Sequence, residues 1–177
     1  MDRIWAGWRS AYLSGELNLQ DKPPGCVLCT IAGASSETAD QDSLAASELL
    51  IVHRGASSTV ALNLYPYTSG HLLVIPHRHV SELDALVESE RSEMFELANA
   101  STIALSKSHG AQGFNIGMNL GGAAGAAIKD HIHMHVVPRF VGDANFMTTT
   151  ADARVLPEAL TETLEKVRGA WKVAGCS

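Results

Sequence analysis

No stretch of this sequence approaches the roughly 18–20 consecutive apolar residues needed to span a bilayer, although 46% of its 177 residues are hydrophobic. The opening residues, MDRIWAGWRSAYL, lack the charged start and long apolar centre of a secretory signal. A cytoplasmic protein without a membrane partner is therefore expected. Basic charge is also scarce: 13 Lys and Arg face 19 Asp and Glu, for a formal net charge of −6. The basic residues are scattered rather than gathered in a stripe, which argues against nucleic acid as a partner. A small anionic ligand stays compatible, because a local pocket can override net charge. Three cysteines are a poor number for a disulfide framework. Cys26 and Cys29 form C-x-x-C, which in a cytosolic chain points to metal or redox chemistry. Repeats and low-complexity linkers are lacking as well. The length suits one domain, with an N-terminal segment over 1–47 and a core over 48–165.

The core opens with ELLIVH (48–53), STVALNLY (58–65) and HLLVIP (71–76). These are short β-branched runs separated by turn signals such as Arg54-Gly55 and Thr68-Ser69-Gly70. They predict a meander of antiparallel strands. Over 89–109 the period changes to helical, with Met94, Leu97, Ala98 and Leu105 on one face, Ser89 as N-cap and Gly110 as the stop. Met94 and Phe95 both read as helix core. GFNIGMN (113–119) and HIHMHVV (131–137) alternate strictly and predict strands. Pro157 then opens a last helix, with Leu160, Leu164, Val167 and Trp171 at helical spacing. The order of strands, helix, strands, helix predicts an α+β fold with one antiparallel sheet.

On a strand, alternate residues share a face about 6.5–7 Å apart. His131, His133 and His135 would therefore stand in a row, with Ile132, Met134 and Val136 in the core behind them. A polar face that happens to be built of histidine is hard to credit. Three histidines can hold a catalytic metal, or one imidazole can act as a nucleophile that its neighbours orient. LGGAAGAAIKD (120–130) precedes the strand. Its small residues let backbone N–H groups approach a phosphate closely. That favours a nucleophile attacking phosphorus, with a phosphoramidate intermediate that splits one displacement into two.

H-I-H-M-H-V-V, with three histidines alternating with apolar residues, resembles the signature of the histidine triad superfamily of nucleotide hydrolases, phosphorylases and transferases. N-x6-G-H from Asn63 to His71, L-V-I-P-x-x-H (73–79), the strand ending in Asn119, and G-D-A-N-F (142–146) after V-V-P-R extend the likeness over roughly residues 26–165. With C-x-x-C upstream, the chain looks most like the bacterial branch of diadenosine polyphosphate phosphorylases and hydrolases. The resemblance implies a sheet of about five strands with a long central helix and a C-terminal helix. It implies His133 as the nucleophile, His135 on the phosphate, and His71 as a fourth histidine of the site. Asn63 would hold the ribose hydroxyls, Asn119 would sit near the phosphates, and Gly125, Ala126, Ala127 and Ile128 would form the phosphate-facing loop. A homodimer is implied too, joined through an edge strand and the 89–109 helix. Inorganic phosphate or water would accept the nucleotidyl group. The chain departs from the pattern at Ala126 and Ala127, which offer no side-chain donor, and at Phe140, where the branch often has Trp.

A closed zinc site on Cys26 and Cys29 needs two more ligands, and His53, His77, His79, His109 and the triad are all candidates by residue type. In the resemblance, His79 and His131 complete the site. The zinc would then be structural, clamping the N-terminal segment to the catalytic strand. His53 and His109 read as ordinary surface residues and His77 as exposed. Trp5, Trp8 and Tyr12 read as a packing or dimer-contact segment, and Cys176 needs no role. Three rival functions remain: a nucleotidyltransferase with a sugar-phosphate acceptor, a non-catalytic nucleotide-binding protein, and a metallohydrolase using the three histidines as ligands.

Overall fold

The computed structural model describes residues 25–33, 49–143 and 158–173. The segment Trp5–Tyr12, the Pro157 helix start, Asn145 and Phe146 of the G-D-A-N-F motif, and Cys176 lie outside the described residues. Helix α1 (Val27–Gly33) is followed by strands β1 (Ile51–Arg54), β2 (Ser58–Leu62) and β3 (Leu72–Pro76). The long helix α2 (Glu88–His109), strands β4 (Gly113–Met118) and β5 (Met134–Arg139), and helix α3 (Leu160–Val173) complete the order. The five strands form one sheet in the order β1-β2-β3-β5-β4, and every neighbouring pair is antiparallel. The α+β expectation and its strand count hold.

Alternation along the strands sorts side chains onto two faces. Val60, Leu62, Leu72, Val74, Met134 and Val136 share a core cluster with Met94, Leu97, Ala98 and Leu105 of α2 and Leu164, Val167 and Trp171 of α3. Burying each large aliphatic side chain there is worth about 1.5–3 kcal/mol. The opposite face carries a smaller cluster, in which Leu28 and Ala32 of α1 pack on Ala61, Leu73 and Ile75. This is why every residue of β3 is buried: a strand covered on both faces is apolar throughout. Arg54 docks α1 by donating from its guanidinium to the carbonyls of Ala32 and Ile31, each at 2.9 Å. Those are last-turn carbonyls that lack a partner within the helix.

Several expectations shift. The triad segment joins the ladder only at Met134, because the Ile132 N–H donates to the Val80 carbonyl at 2.7 Å instead of to a neighbouring strand. Strand β2 stops at Leu62, since Asn63 Oδ1 accepts the Tyr65 N–H at 3.1 Å and turns the chain. Ser89 does not cap α2. The N-cap is Val87, whose N–H donates to Glu90 at 2.9 Å, while Gly110 ends the helix at φ 65° as expected. Phe95 is 63% exposed rather than core, one position past the face that Met94 buries. His53 is buried and stacks on Trp171 at a centroid distance of 5.1 Å. His109 pairs with Glu158 at 3.0 Å with both side chains largely covered. His77 is half-buried against Thr59 Oγ1 at 3.0 Å. None of these three histidines is the open surface residue the sequence suggested, because α3 and the β1–β2 hairpin cover them.

Candidate active site

Residue His135 on β5 pairs with Leu73 of β3 and Gly117 of β4. Directly paired residues of antiparallel strands share a face, so His135 stands on the α1 side of the sheet. Ile132, Met134 and Val136 fill the core behind, as the alternation predicts. His133 lies edge-on to His135 at a centroid distance of 4.9 Å. His71 Nε2 lies 3.0 Å from His135 Nδ1, and Asn119 Nδ2 lies 3.5 Å from His135 Nε2. Thus His71, His133, His135 and Asn119 converge on one spot. Asn63 joins them from behind, with Nδ2 3.3 Å from His71 Nδ1.

The tautomer of His133 follows from one backbone partner. Nδ1 of His133 lies 2.9 Å from the His131 carbonyl oxygen. A carbonyl only accepts, so Nδ1 carries the proton and Nε2 keeps its lone pair. Burial pushes the His133 imidazolium below the ordinary histidine range, opposed by the bond to the His131 carbonyl. The ring is thus held as a neutral base with a free nitrogen, the form a nucleophile requires.

His131 parts company with its two companions. It is fully buried, and its Nε2 donates to the Pro76 carbonyl at 2.9 Å. The lone pair is therefore on Nδ1, which faces Cys26 Sγ at 3.5 Å and Cys29 Sγ at 3.4 Å. His79 Nδ1 lies 3.0 Å from Cys29 Sγ. One donor atom from each of Cys26, Cys29, His79 and His131 falls within 4.8 Å of the other three. Tetrahedral zinc, with bonds near 2.3 Å to sulfur and 2.0–2.1 Å to nitrogen, sets its ligands about 3.3–3.8 Å apart. The two Cys–His131 separations meet that range, and the Cys29–His79 approach is tighter. The Pro76 carbonyl supplies the outer hydrogen bond that orients a ligating histidine. Burial, then the neighbouring Cys26, push the Cys29 thiol up, a pressure that a divalent cation would reverse. The residues present fit a metal ion.

The glycine- and alanine-rich loop is exposed over 121–125 and crosses Gly121 and Gly125 at φ 72° and 79°. The expected phosphate donors are fewer than the sequence suggested. Gly125 N–H donates to Gly122 O at 3.1 Å, which leaves Ala126, Ala127 and Ile128 without an acceptor among the described residues. Ile128 packs on the α1 cluster beside Cys26, so the loop is anchored to the cysteine end of the site.

Sequence reasoning missed Tyr67. Its ring lies parallel to His71 at 4.7 Å and 18°, and its N–H donates to His71 Nδ1 at 3.1 Å. An aromatic residue four positions before the motif histidine was the available signal. Among the described residues, no helix is long and apolar enough to cross a membrane.

The model of the HIT domain family matches residues 47–142. The chain is 35% identical over 171 residues to the AP-4-A phosphorylase of Mycobacterium tuberculosis (strain ATCC 25618 / H37Rv), an alignment covering 97% of this chain and 85% of that protein. It is 34% identical over 93 residues to the asymmetrical bis(5'-nucleosyl)-tetraphosphatase of Schizosaccharomyces pombe, covering 52% and 50% of the two chains. Among solved structures, a Zn-bound histidine triad family protein from Mycobacterium smegmatis superposes with a TM-score of 0.65 at 27% identity, covering 85% of this chain and 95% of that one.

Proposed function

This chain belongs to the HIT domain, or histidine triad, family, and from that premise we propose that it cleaves dinucleoside polyphosphates through a nucleotidyl-histidine on His133. The observation that carries the reading is the His131 carbonyl on Nδ1 of His133. It leaves Nε2 as a permanently available lone pair beside His135 and Asn119. In the first step Nε2 bonds to the α-phosphorus and the bond from that phosphorus to the polyphosphate oxygen breaks. In the second, an acceptor oxygen bonds to phosphorus and the N–P bond breaks, returning His133. His135 and Asn119 serve the phosphate oxygens, with the free N–H groups of Ala126 to Ile128 as further donors. Asn63 keeps one amide hydrogen for a ribose hydroxyl while its other groups engage His71 and Tyr65.

The acceptor we favour is inorganic phosphate, supported by the near full-length likeness to a protein named AP-4-A phosphorylase. Water is the second reading. It is favoured by the engagement of Gly125 N–H and by two alanines that add no donor for a second anion. In support of a bound zinc stand the four donors of Cys26, Cys29, His79 and His131. With four protein ligands such an ion has no open position, so it would clamp α1 to the site rather than activate water. That geometry also removes His131 from a three-histidine catalytic metal site. Two copies would pair along the β4 edge, where Ile116 is exposed, and through Phe95 and Ile103 of α2.

The test is to incubate the protein with diadenosine tetraphosphate in phosphate-free buffer and then add millimolar phosphate. A steep rise in rate with ADP and ATP as products supports phosphorolysis. An unchanged rate yielding AMP and ATP makes water the acceptor. No cleavage under either condition would overturn the reading.

A further inference from the structure

His71 and His135 share one short contact, Nε2 to Nδ1 at 3.0 Å. In a neutral pair, one ring must donate there and the other accept. Two chains of protons are possible, and they present opposite faces to a substrate. In one, His135 carries its proton on the outer nitrogen, Nε2, and offers a donor. In the other, it carries the proton on Nδ1 and offers a lone pair, which would repel a phosphate oxygen.

The far side of His71 decides between them. Its Nδ1 receives the Tyr67 N–H at 3.1 Å, and a peptide nitrogen can only donate. It also faces Asn63 Nδ2 at 3.3 Å. The orientation of that amide is settled separately, because Oδ1 of Asn63 accepts the Tyr65 N–H at 3.1 Å. Two donors thus converge on Nδ1 of His71, which must be the bare nitrogen. Its proton sits on Nε2 and is donated to Nδ1 of His135, and the proton of His135 sits on Nε2. Against this stands the contact of Asn119 Nδ2 at 3.5 Å from His135 Nε2. Two shorter contacts, one from a fixed backbone, outweigh one contact at the limit of bonding from a side chain free to rotate. Asn119 therefore turns its Oδ1 toward the ring or yields to a phosphate.

We infer that the Tyr67 peptide N–H and the Asn63 amide are positioning groups that lock His71 and His135 as Nε2–H tautomers, so that His135 meets an anion as a neutral hydrogen-bond donor. The proton assignment stands on geometry alone, while its use in turnover rests on the proposed phosphate chemistry. The Tyr67 ring stacks on His71, but the lock is assigned to the peptide N–H and not to the ring.

Imidazole nitrogen NMR of the uniformly 15N-labelled full chain tests this without substrate. The expected spectrum has a bare Nδ1 and a protonated Nε2 on both rings. Tyr67→Ala keeps the N–H and should keep both tautomers. Replacing Tyr67 by its α-hydroxy acid exchanges the N–H for an ester oxygen, and Asn63→Asp turns a donor into an acceptor of the same size. Each should raise the population of the Nδ1–H form of His71. Each should also lower kcat for diadenosine tetraphosphate about three- to tenfold, the worth of one hydrogen bond, and the Tyr67 ester, which leaves the ribose contact of Asn63 in place, should do so with KM nearly unchanged. A protonated Nδ1 on either ring of the unaltered protein overturns the inference, as does an Asn63→Asp protein that folds with unchanged ring signals. Correct tautomers in a protein that cleaves no dinucleotide would instead overturn only the proposed function.

Discussion

The carbonyl oxygen of His131 stands 2.9 Å from Nδ1 of His133, so the residue whose ring faces the cysteines orients the ring that stands beside His135. Substituting His133, the proposed nucleophile, should therefore separate chemistry from binding. His133→Gly removes the whole ring, with Nε2, the Nδ1–H bonded to the His131 carbonyl and the edge contact to His135, while the other groups of the site keep their own partners. Turnover of diadenosine tetraphosphate is expected to fall by at least about 10²–10⁴-fold, the scale of losing a positioned catalytic base. Nucleotide affinity, measured by calorimetry, should stay within a few-fold. Retention of more than a tenth of the normal rate would sink the covalent route.

The cysteine cluster predicts metal content. Protein purified without chelator should carry about one zinc per chain, the stoichiometry of a four-ligand structural site. Cys26→Ser should lower both zinc content and melting temperature, because among the described residues α1 is held to the sheet by a small apolar cluster, Arg54 and this site. Elemental analysis finding no metal in the unaltered protein would remove Cys26, Cys29, His79 and His131 from metal binding.

The glycine before His71 is required twice over. Gly70 sits at φ 84°, and a Cβ there would meet Leu105 Cδ2 at 2.7 Å. Gly70→Ala combines left-handed strain with overpacking, for an expected cost of about 2–4 kcal/mol. The residual folded protein should also lose activity, because relieving the clash moves His71 away from His135. Urea unfolding measures the first effect. Wild-type stability in this variant would mean that α2 yields at Leu105.

The sheet, both described long helices and the common side of the alternating histidines were legible because each is written as a period. Alternation puts Ile132, Met134 and Val136 in the core and the triad opposite. Contacts that join distant segments were not legible. His109 reads as a helix-end residue until α3 brings Glu158 to it, and His53 reads as a strand residue until α3 brings Trp171. Tyr67 was overlooked because its contribution to His71 includes a peptide N–H, which no residue type announces. Phe95 was misassigned because it lies about 100° round α2 from Met94, past the edge of the buried face, and its residue type does not reveal that. The four metal-ligand candidates were named from a family likeness, and residue types alone left His53, His77 and His109 equally eligible.

Acid should selectively remove the brace at the start of α2. Glu90 accepts from Arg78 Nε at 2.7 Å and Nη2 at 2.6 Å, and from the Val87 N–H at 2.9 Å. The Arg78 guanidinium, then the Val87 N–H, hold its carboxyl well below the usual range, at about 2 against 4.5, despite burial. A carboxyl lowered in the folded state binds fewer protons there than in the unfolded chain. Its stabilisation is therefore complete above pH 4.5 and drains away as pH falls toward about 2. Arg78 is half exposed, which screens the pair, so Glu90→Ala is expected to cost about 1–2 kcal/mol at pH 7, much of it from the lost cap. The variant and the unaltered protein should be unfolded in urea at pH 7, 5 and 3. Their difference should stay level between pH 7 and 5 and shrink at pH 3, where the carboxyl of the unfolded chain is protonated. A gap of the same size at all three values would mean that Glu90 braces α2 by packing alone and that its charge contributes nothing.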